Sequence, residues 1–131
     1  MSEKQLQLFR ESVDAFLRSD WEFLRALTHP DCVVTEPAEL PGQNTWRGSE
    51  AVVDAMQSWP KQWDEFDFEM TNVQEAGEDQ LVTTMIQHVG ARGASVDQEI
   101  AFVVDFDDDR IVRLRMYLSE GAALEAARGT G

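Results

Sequence analysis

The sequence predicts an α+β domain, with amphipathic helices gathered in its first half and an antiparallel meander in its second. Three observations point there. Apolar residues recur every three or four positions as far as Trp63, the period falls to two from Phe66 onward, and short turn-forming runs interrupt the second half. Helices segregated from hairpin-linked strands argue for α+β rather than a parallel α/β arrangement. The chain has 131 residues and 43% hydrophobic content, which suits one domain, 1–131, with one sizeable core.

Leu6, Phe9, Val13, Phe16 and Leu17 trace one stripe of a helix over residues 3–19. Ser2 with Gln5 has the capping-box form, and Ser19 with Glu22 repeats it ahead of a second, short helix. That helix carries Trp21, Phe23, Leu24 and Leu27 and ends before His29-Pro30. Cys32 to Glu36 is β-branched and reads as a short strand, stopped by Pro37. Prolines, glycines and an Asn make residues 37–48 an irregular loop. A third helix opens at Gly48-Ser49 with Val52, Met56, Trp59 and Trp63 on one face, and Pro60 should kink or end it.

The strands follow. Phe66, Phe68 and Met70 alternate with polar residues, Gly77-Glu78-Asp79 turns the chain, and Leu81 to Val89 is β-branched and apolar. Gly90 to Ala94 marks the next turn, and Val96, Ile100, Phe102, Val104 and Phe106 form the cleanest alternation in the chain. Past the acidic turn Asp107-Asp108-Asp109, Val112, Leu114, Met116 and Leu118 alternate with Arg113, Arg115 and Tyr117. Ser119 caps a short Ala-rich helix, Glu120 to Ala127, and the remaining RGTG is expected to fray.

Composition removes several function classes. With 11 Lys+Arg against 25 Asp+Glu the net charge is −14, and such a surface repels nucleic-acid phosphates and anionic membranes alike. No run approaches the roughly 18 apolar residues of a membrane helix, and the N-terminus lacks a secretory h-region, so a cytoplasmic protein is expected. The single cysteine, Cys32, excludes an internal disulfide framework and a multi-cysteine zinc site. His29 and His88 have no metal-ligand spacing. The acidic run 105–109 lacks the glycine and distal glutamate of a calcium loop, and Gly90 to Gly93 lies between strands, where it cannot cradle a phosphate. No metal or cofactor is expected.

Certain phrases stand in a telling order. Ser19-Asp20-Trp21 lies between the first helices, and Pro30-Asp31-Cys32-Val33-Val34 enters the first strand. Thr35-Glu36-Pro37 leaves that strand, and Trp46-Arg47-Gly48-Ser49-Glu50-Ala51-Val52 opens the third helix. Phe106-Asp107 and Arg110-Ile111-Val112 bracket the last hairpin, and Met116-Tyr117-Leu118-Ser119-Glu120 closes the last strand. Over residues 5–127 this order resembles the NTF2-like superfamily, and within it the SnoaL-like and ketosteroid-isomerase-like proteins. The resemblance implies a cone, a bent sheet closed by helices around an apolar pocket. Carried over by position, that pocket would be lined by Val34, Glu36, Met85, Gln87, Val89, Ile100, Phe102, Val104, Leu114, Met116 and Leu118. The alternation of the last two strands selects the same phase independently. Phe16, Trp59 and Trp63 would contribute from the helices and Trp46 from the mouth. Members of this fold commonly form homodimers through the outer sheet face, where Val103, Arg113, Arg115 and Tyr117 would lie.

The resemblance also assigns chemistry. Glu36 holds the position of the isomerases' general base, and a carboxylate facing an apolar cavity becomes a better proton acceptor near neutral pH. The bland reading of Glu36 is a strand-end carboxylate in solvent or one paired with Arg47. The isomerases' enolate-stabilising Tyr and Asp fall here on Ser12 and Phe102, which leaves that oxyanion hole missing. Gln87 and Trp46 each offer a hydrogen bond to a pocket. His88 lies in the outward phase and His29 is expected to cap a helix end. Three functions fit: an isomerase-, cyclase- or dehydratase-like enzyme moving protons without a cofactor, a non-catalytic binder of a small apolar or polycyclic ligand, or a dimerisation module with a filled pocket.

Overall fold

The computed structural model describes residues 1–42 and 45–129. Helix α1 spans Glu3–Leu17 and α2 spans Trp21–Leu27. The Ser2–Gln5 capping box forms, with the Gln5 amide donating to Ser2 Oγ at 3.0 Å and the Ser2 amide to Gln5 Oε1 at 3.1 Å. The second cap differs from expectation. Asp20, not Ser19, accepts the Phe23 amide at 3.2 Å, because Ser19 turns the chain at φ 61°.

Strand β1 is Thr28–Thr35, longer than expected, so His29 sits in a strand rather than capping a helix. The 37–48 segment is not wholly irregular. Thr45–Arg47 forms β2, pairing antiparallel with β1 through Val34↔Trp46. Gly48 then turns at φ 89° and donates its amide to the Cys32 carbonyl at 2.8 Å, a left-handed conformation that suits glycine. Helix α3, Ser49–Ser58, stops ahead of Pro60, and a 3-10 turn, Pro60–Gln62, carries the chain to the sheet. Long strands β3 (Glu65–Gly77), β4 (Gln80–Ala91) and β5 (Ala94–Asp107) precede β6 (Arg110–Tyr117). Helix α4 runs Glu120–Gly129, two residues past the expected end, and the last two residues of the expected frayed tail lie outside the described residues. Ser119 caps it through the Ala122 amide at 3.1 Å.

The sheet order is β2-β1-β6-β5-β4-β3, with β1 parallel to β6 and the other pairs antiparallel. This is the expected α+β, NTF2-like architecture of a curved open sheet, with α1 packed on its concave side. The concave core holds Phe9 from α1 with Leu81, Met85, Ile100, Val104, Phe106 and Met116. Register shifts interrupt the alternation in β1, β3 and β6. Thr71 is the extra residue in β3 and Val112 in β6, so Ile111 pairs with Phe106 and packs on the core in the place expected for Val112.

The convex face is also apolar. Val82, Ala101 and Val103 are fully buried there beneath Ala123 and Ala127 of α4. The patch expected at a dimer surface is therefore largely occupied within the protomer. Val103 lies under α4, Tyr117 packs on the same cluster, Arg115 is buried within 3.6 Å of Asp105, and Arg113 alone is exposed. Leu118 lies just past the end of β6 and is 38% exposed.

These placements predict unequal costs. Leu81→Ala should lower the unfolding free energy by about 2–5 kcal/mol, and Leu118→Ala by under about 0.5 kcal/mol. Urea midpoints at constant slope measure both.

Candidate functional site

Burial on the concave face is graded. Leu81, Val104 and Phe106 are sealed near one end of the sheet, close to the start of α1. Toward the other end Val34, Glu36, Phe66, Phe68, Phe102 and Leu114 stand on the same face yet remain half-buried. The best-defined pockets lie elsewhere, around Ser2, Gln5 and Asp79 and beside Glu3, Leu6 and Arg10, and the incomplete helix cover leaves this end of the concave face only partly shielded.

Aromatic side chains form one wall of it. Phe16 of α1 meets Trp21, Phe66 and Phe68 at ring-centroid separations of 5.7, 6.0 and 5.4 Å. Trp63 stacks on Phe66 at 5.7 Å and touches Trp59 at 6.1 Å. The wall exists because Pro60 ends α3 just where Trp59 and Trp63 can turn toward β3. Trp46 shares this face by pairing with Val34, half-buried on β2. Trp59 Nε1 donates to Gln87 Oε1 at 2.9 Å, fixing an amide that is only 2% exposed. Of the remaining expected lining, Met85, Ile100, Val104 and Met116 are buried in the core and Val89 is half-buried on β4.

Glu36 follows Thr35, which pairs with Arg115, so alternation puts Glu36 on the side of Val34. Among the described residues nothing pairs with its carboxyl, and Arg47 stands exposed rather than bonded to it. Burial pushes the Glu36 carboxyl above the ordinary glutamate value of 4.5. The alternative of a carboxylate paired with Arg47 is therefore not the arrangement found.

Sequence reasoning placed Ser12 and Phe102 where an enolate oxygen would need donors. Ser12 is buried, and its hydroxyl donates to the Phe9 carbonyl at 2.5 Å, so it is spent within the helix. His88 is on the convex face, between Asp97 at 2.6 Å and Glu69 at 3.2 Å, and those bonds raise its pKa above 6.5. His29 Nδ1 accepts the Asp31 amide at 2.9 Å, and its Nε2 lies 3.4 Å from Asp107. Burial drives the Cys32 thiol up to about 11, so it is inert at neutral pH. Among the described residues no group of three or more His, Cys, Asp or Glu is placed to hold a metal, and no helix is long and apolar enough to cross a membrane. The signals missed in the sequence were the Trp59–Gln87 bond and the rings Phe66 and Phe68. Their inward phase was legible, but their meeting with Phe16 and Trp63 depends on how α1 and α3 dock.

Known proteins share this fold. The profile of the SnoaL-like domain matches residues 9–114. An NTF2-like protein of unknown function from Burkholderia pseudomallei is 24% identical, with a TM-score of 0.77 over 95% of this chain and 97% of that one. TerC, co-crystallised with polyporic acid, is 16% identical, with a TM-score of 0.77 over 96% and 99%. The "putative SnoaL-like polyketide cyclase" from Jannaschia sp. CCS1 is 12% identical, with a TM-score of 0.77 over 97% and 95%. At these identities the structures share the fold alone. Comparison with curated proteins yields no match.

The raised Glu36 pKa has a signed consequence. Folded Glu36 keeps its proton to higher pH than the unfolded chain does, so its ionisation costs stability as pH climbs through the raised value. Glu36→Gln removes that cost. The variant should match the parent below pH 4.5 and become progressively more stable than it above that pH, read by thermal unfolding from pH 3.5 to 8.

Proposed function

The chain belongs to the SnoaL-like domain family, and from that premise we propose that it binds a small, largely apolar, ring-bearing molecule in the concave hollow, with Glu36 as general base for an isomerase- or cyclase-like proton transfer. The observation that carries the proposal is the unpaired Glu36 carboxyl, half-buried on an apolar face with its pKa raised. A base poised nearer neutrality accepts a proton from carbon more readily than an ordinary glutamate does. The rings of Phe16, Trp59, Trp63, Phe66 and Phe68 suit a flat substrate, since aromatic faces pack offset or edge-on. The polyporic acid complex of TerC and the "putative SnoaL-like polyketide cyclase" from Jannaschia, both of this fold, are in keeping with such a ligand. The acid character of the chain, −14 overall, favours neutral over anionic ligands.

A second reading is a carrier that binds and does not convert. It is favoured by the side chains at the two expected donor positions: Ser12 spends its hydroxyl on Phe9, and Phe102 has no donor. Proton abstraction next to a carbonyl needs stabilisation of the enolate oxygen, and removing such donors is costly to rate.

The two readings separate in one assay. A ligand is first found by thermal-shift screening against ring ketones. Exchange of its α-protons for deuterium is then followed by mass spectrometry. Enzymatic function predicts exchange by the parent and a loss of about 100-fold or more in Glu36→Gln with binding retained. Equal exchange by both proteins removes Glu36 from the mechanism, and binding without exchange by the parent establishes the carrier.

A further inference from the structure

In a chain with 25 acidic and 11 basic residues, a cation readily finds a carboxylate. Lys4, Arg18, Arg25 and Arg115 each lie beside an Asp or Glu. Arg47 and Arg113 do not, and the sheet brings them together. Val33 pairs with Arg47 of β2 on one side and with Arg113 of β6 on the other. The two arginines therefore leave the convex face from roots about 10 Å apart, with only the half-buried Val33 between them. Both are exposed. The carboxylate directly across from Arg113 is Asp105, and it is already engaged. Gln80 Nε2 donates to its Oδ1 at 2.7 Å, and Arg115 stands 3.6 Å from its Oδ2. Among the described residues neither the Arg47 nor the Arg113 guanidinium makes an ion pair or a side-chain hydrogen bond.

This makes a small positive surface on a negative molecule. Helix α4 covers the convex face over Val82, Ala101 and Val103, on β4 and β5, whereas the arginines stand on β2 and β6. Exposed charges are screened beyond about 8 Å at physiological salt, so a group arriving at this corner meets the guanidinium pair more than the total of −14. Guanidinium groups bind carboxylates through two parallel N–H donors. We infer that the convex face at β2, β1 and β6 is a docking surface for an acidic segment of another protein, with Arg47 and Arg113 each taking one carboxylate across Val33. A nucleic-acid strand suits it less. A phosphate backbone would run past two cations into the net negative field of the chain. The surface lies on the opposite side of the sheet from Glu36, so it stands or falls apart from the reading of the concave face.

The probe is a fluorescein-labelled peptide of alternating Glu and Ser, with the same peptide carrying Gln for Glu as control. Fluorescence anisotropy measures both against the full chain at low ionic strength. The parent should bind the Glu peptide about tenfold tighter than the Gln peptide, the worth of two exposed ion pairs. Arg47→Gln and Arg113→Gln should each lower that preference about threefold, and the double variant should abolish it, with the Gln peptide unaffected. Because both side chains are exposed, the melting temperature should not change. Added salt should shrink the preference in the parent and leave the double variant as it is. Equal binding of the two peptides by the parent, or a preference that the double variant keeps, overturns the proposal. Tighter binding of a single-stranded oligonucleotide of equal charge, lost in the double variant, assigns the surface to nucleic acid and overturns the acidic segment. Self-association seen by sedimentation in the parent and lost in the double variant makes a second copy the partner and overturns it likewise.

Discussion

A single sheet with two apolar faces must be covered twice, and most of this molecule answers that constraint. Strands β4 and β5 pair continuously from Gln80↔Asp105 to Ala91↔Ala94. On one side they present Leu81, Met85, Ile100 and Val104, on the other Val82, Ala101 and Val103. Burying such side chains stabilises by about 1.5–3 kcal/mol each, so neither face can stay wet. Helix α1 serves the first face through Phe9, and α4 serves the second through Ala123 and Ala127. Beyond α4 the convex face changes character. Glu65, Asp67, Glu69, Asp97 and Glu99 are exposed there around His88, and the hairpin tip at Val96 is 59% exposed. Two like copies would bring those carboxylates together, which opposes self-association through that region at neutral pH.

The concave cover stops short, and chemistry enters at the gap. Where Phe9 and Phe106 close the core, the buried Gln5 amide nitrogen donates to Asp79 Oδ1 and the Asp108 carbonyl. Toward the opposite end the rings of Trp63, Phe66 and Phe68 take over beside Gln87, while Glu36 stands across the sheet, just past β1. Partial burial strips water from the Glu36 carboxyl without supplying a counter-charge, so its pKa rises instead of falling.

Much of the fold was legible because alternation and helical stripes are strong signals. The phase of Ile100, Phe102 and Val104 is read directly from the sequence and holds in the structure. What escaped has physical reasons. The bulges at Thr71 and Val112 each insert one residue and reverse the phase locally, and no composition marks them. Strand β2 is three residues inside a Pro- and Gly-containing segment, too short for a periodic signal. The docking of α4 is carried by alanines, whose small side chains announce a close approach only once the sheet beneath is known. Of the site, the position of Glu36 and the inward phase of Gln87 were readable. The bond from Trp59 was not, since it joins residues 28 apart through the packing of α3.

The account depends on an acid that water reaches only partly, on the greasy concave face. Carbon-13 NMR titration of the Glu36 side-chain carboxyl measures this directly, with Glu36→Gln assigning the signal. A midpoint above 4.5 is the predicted result. A midpoint at or below 4.5 would place that carboxyl in open solvent and contradict the account.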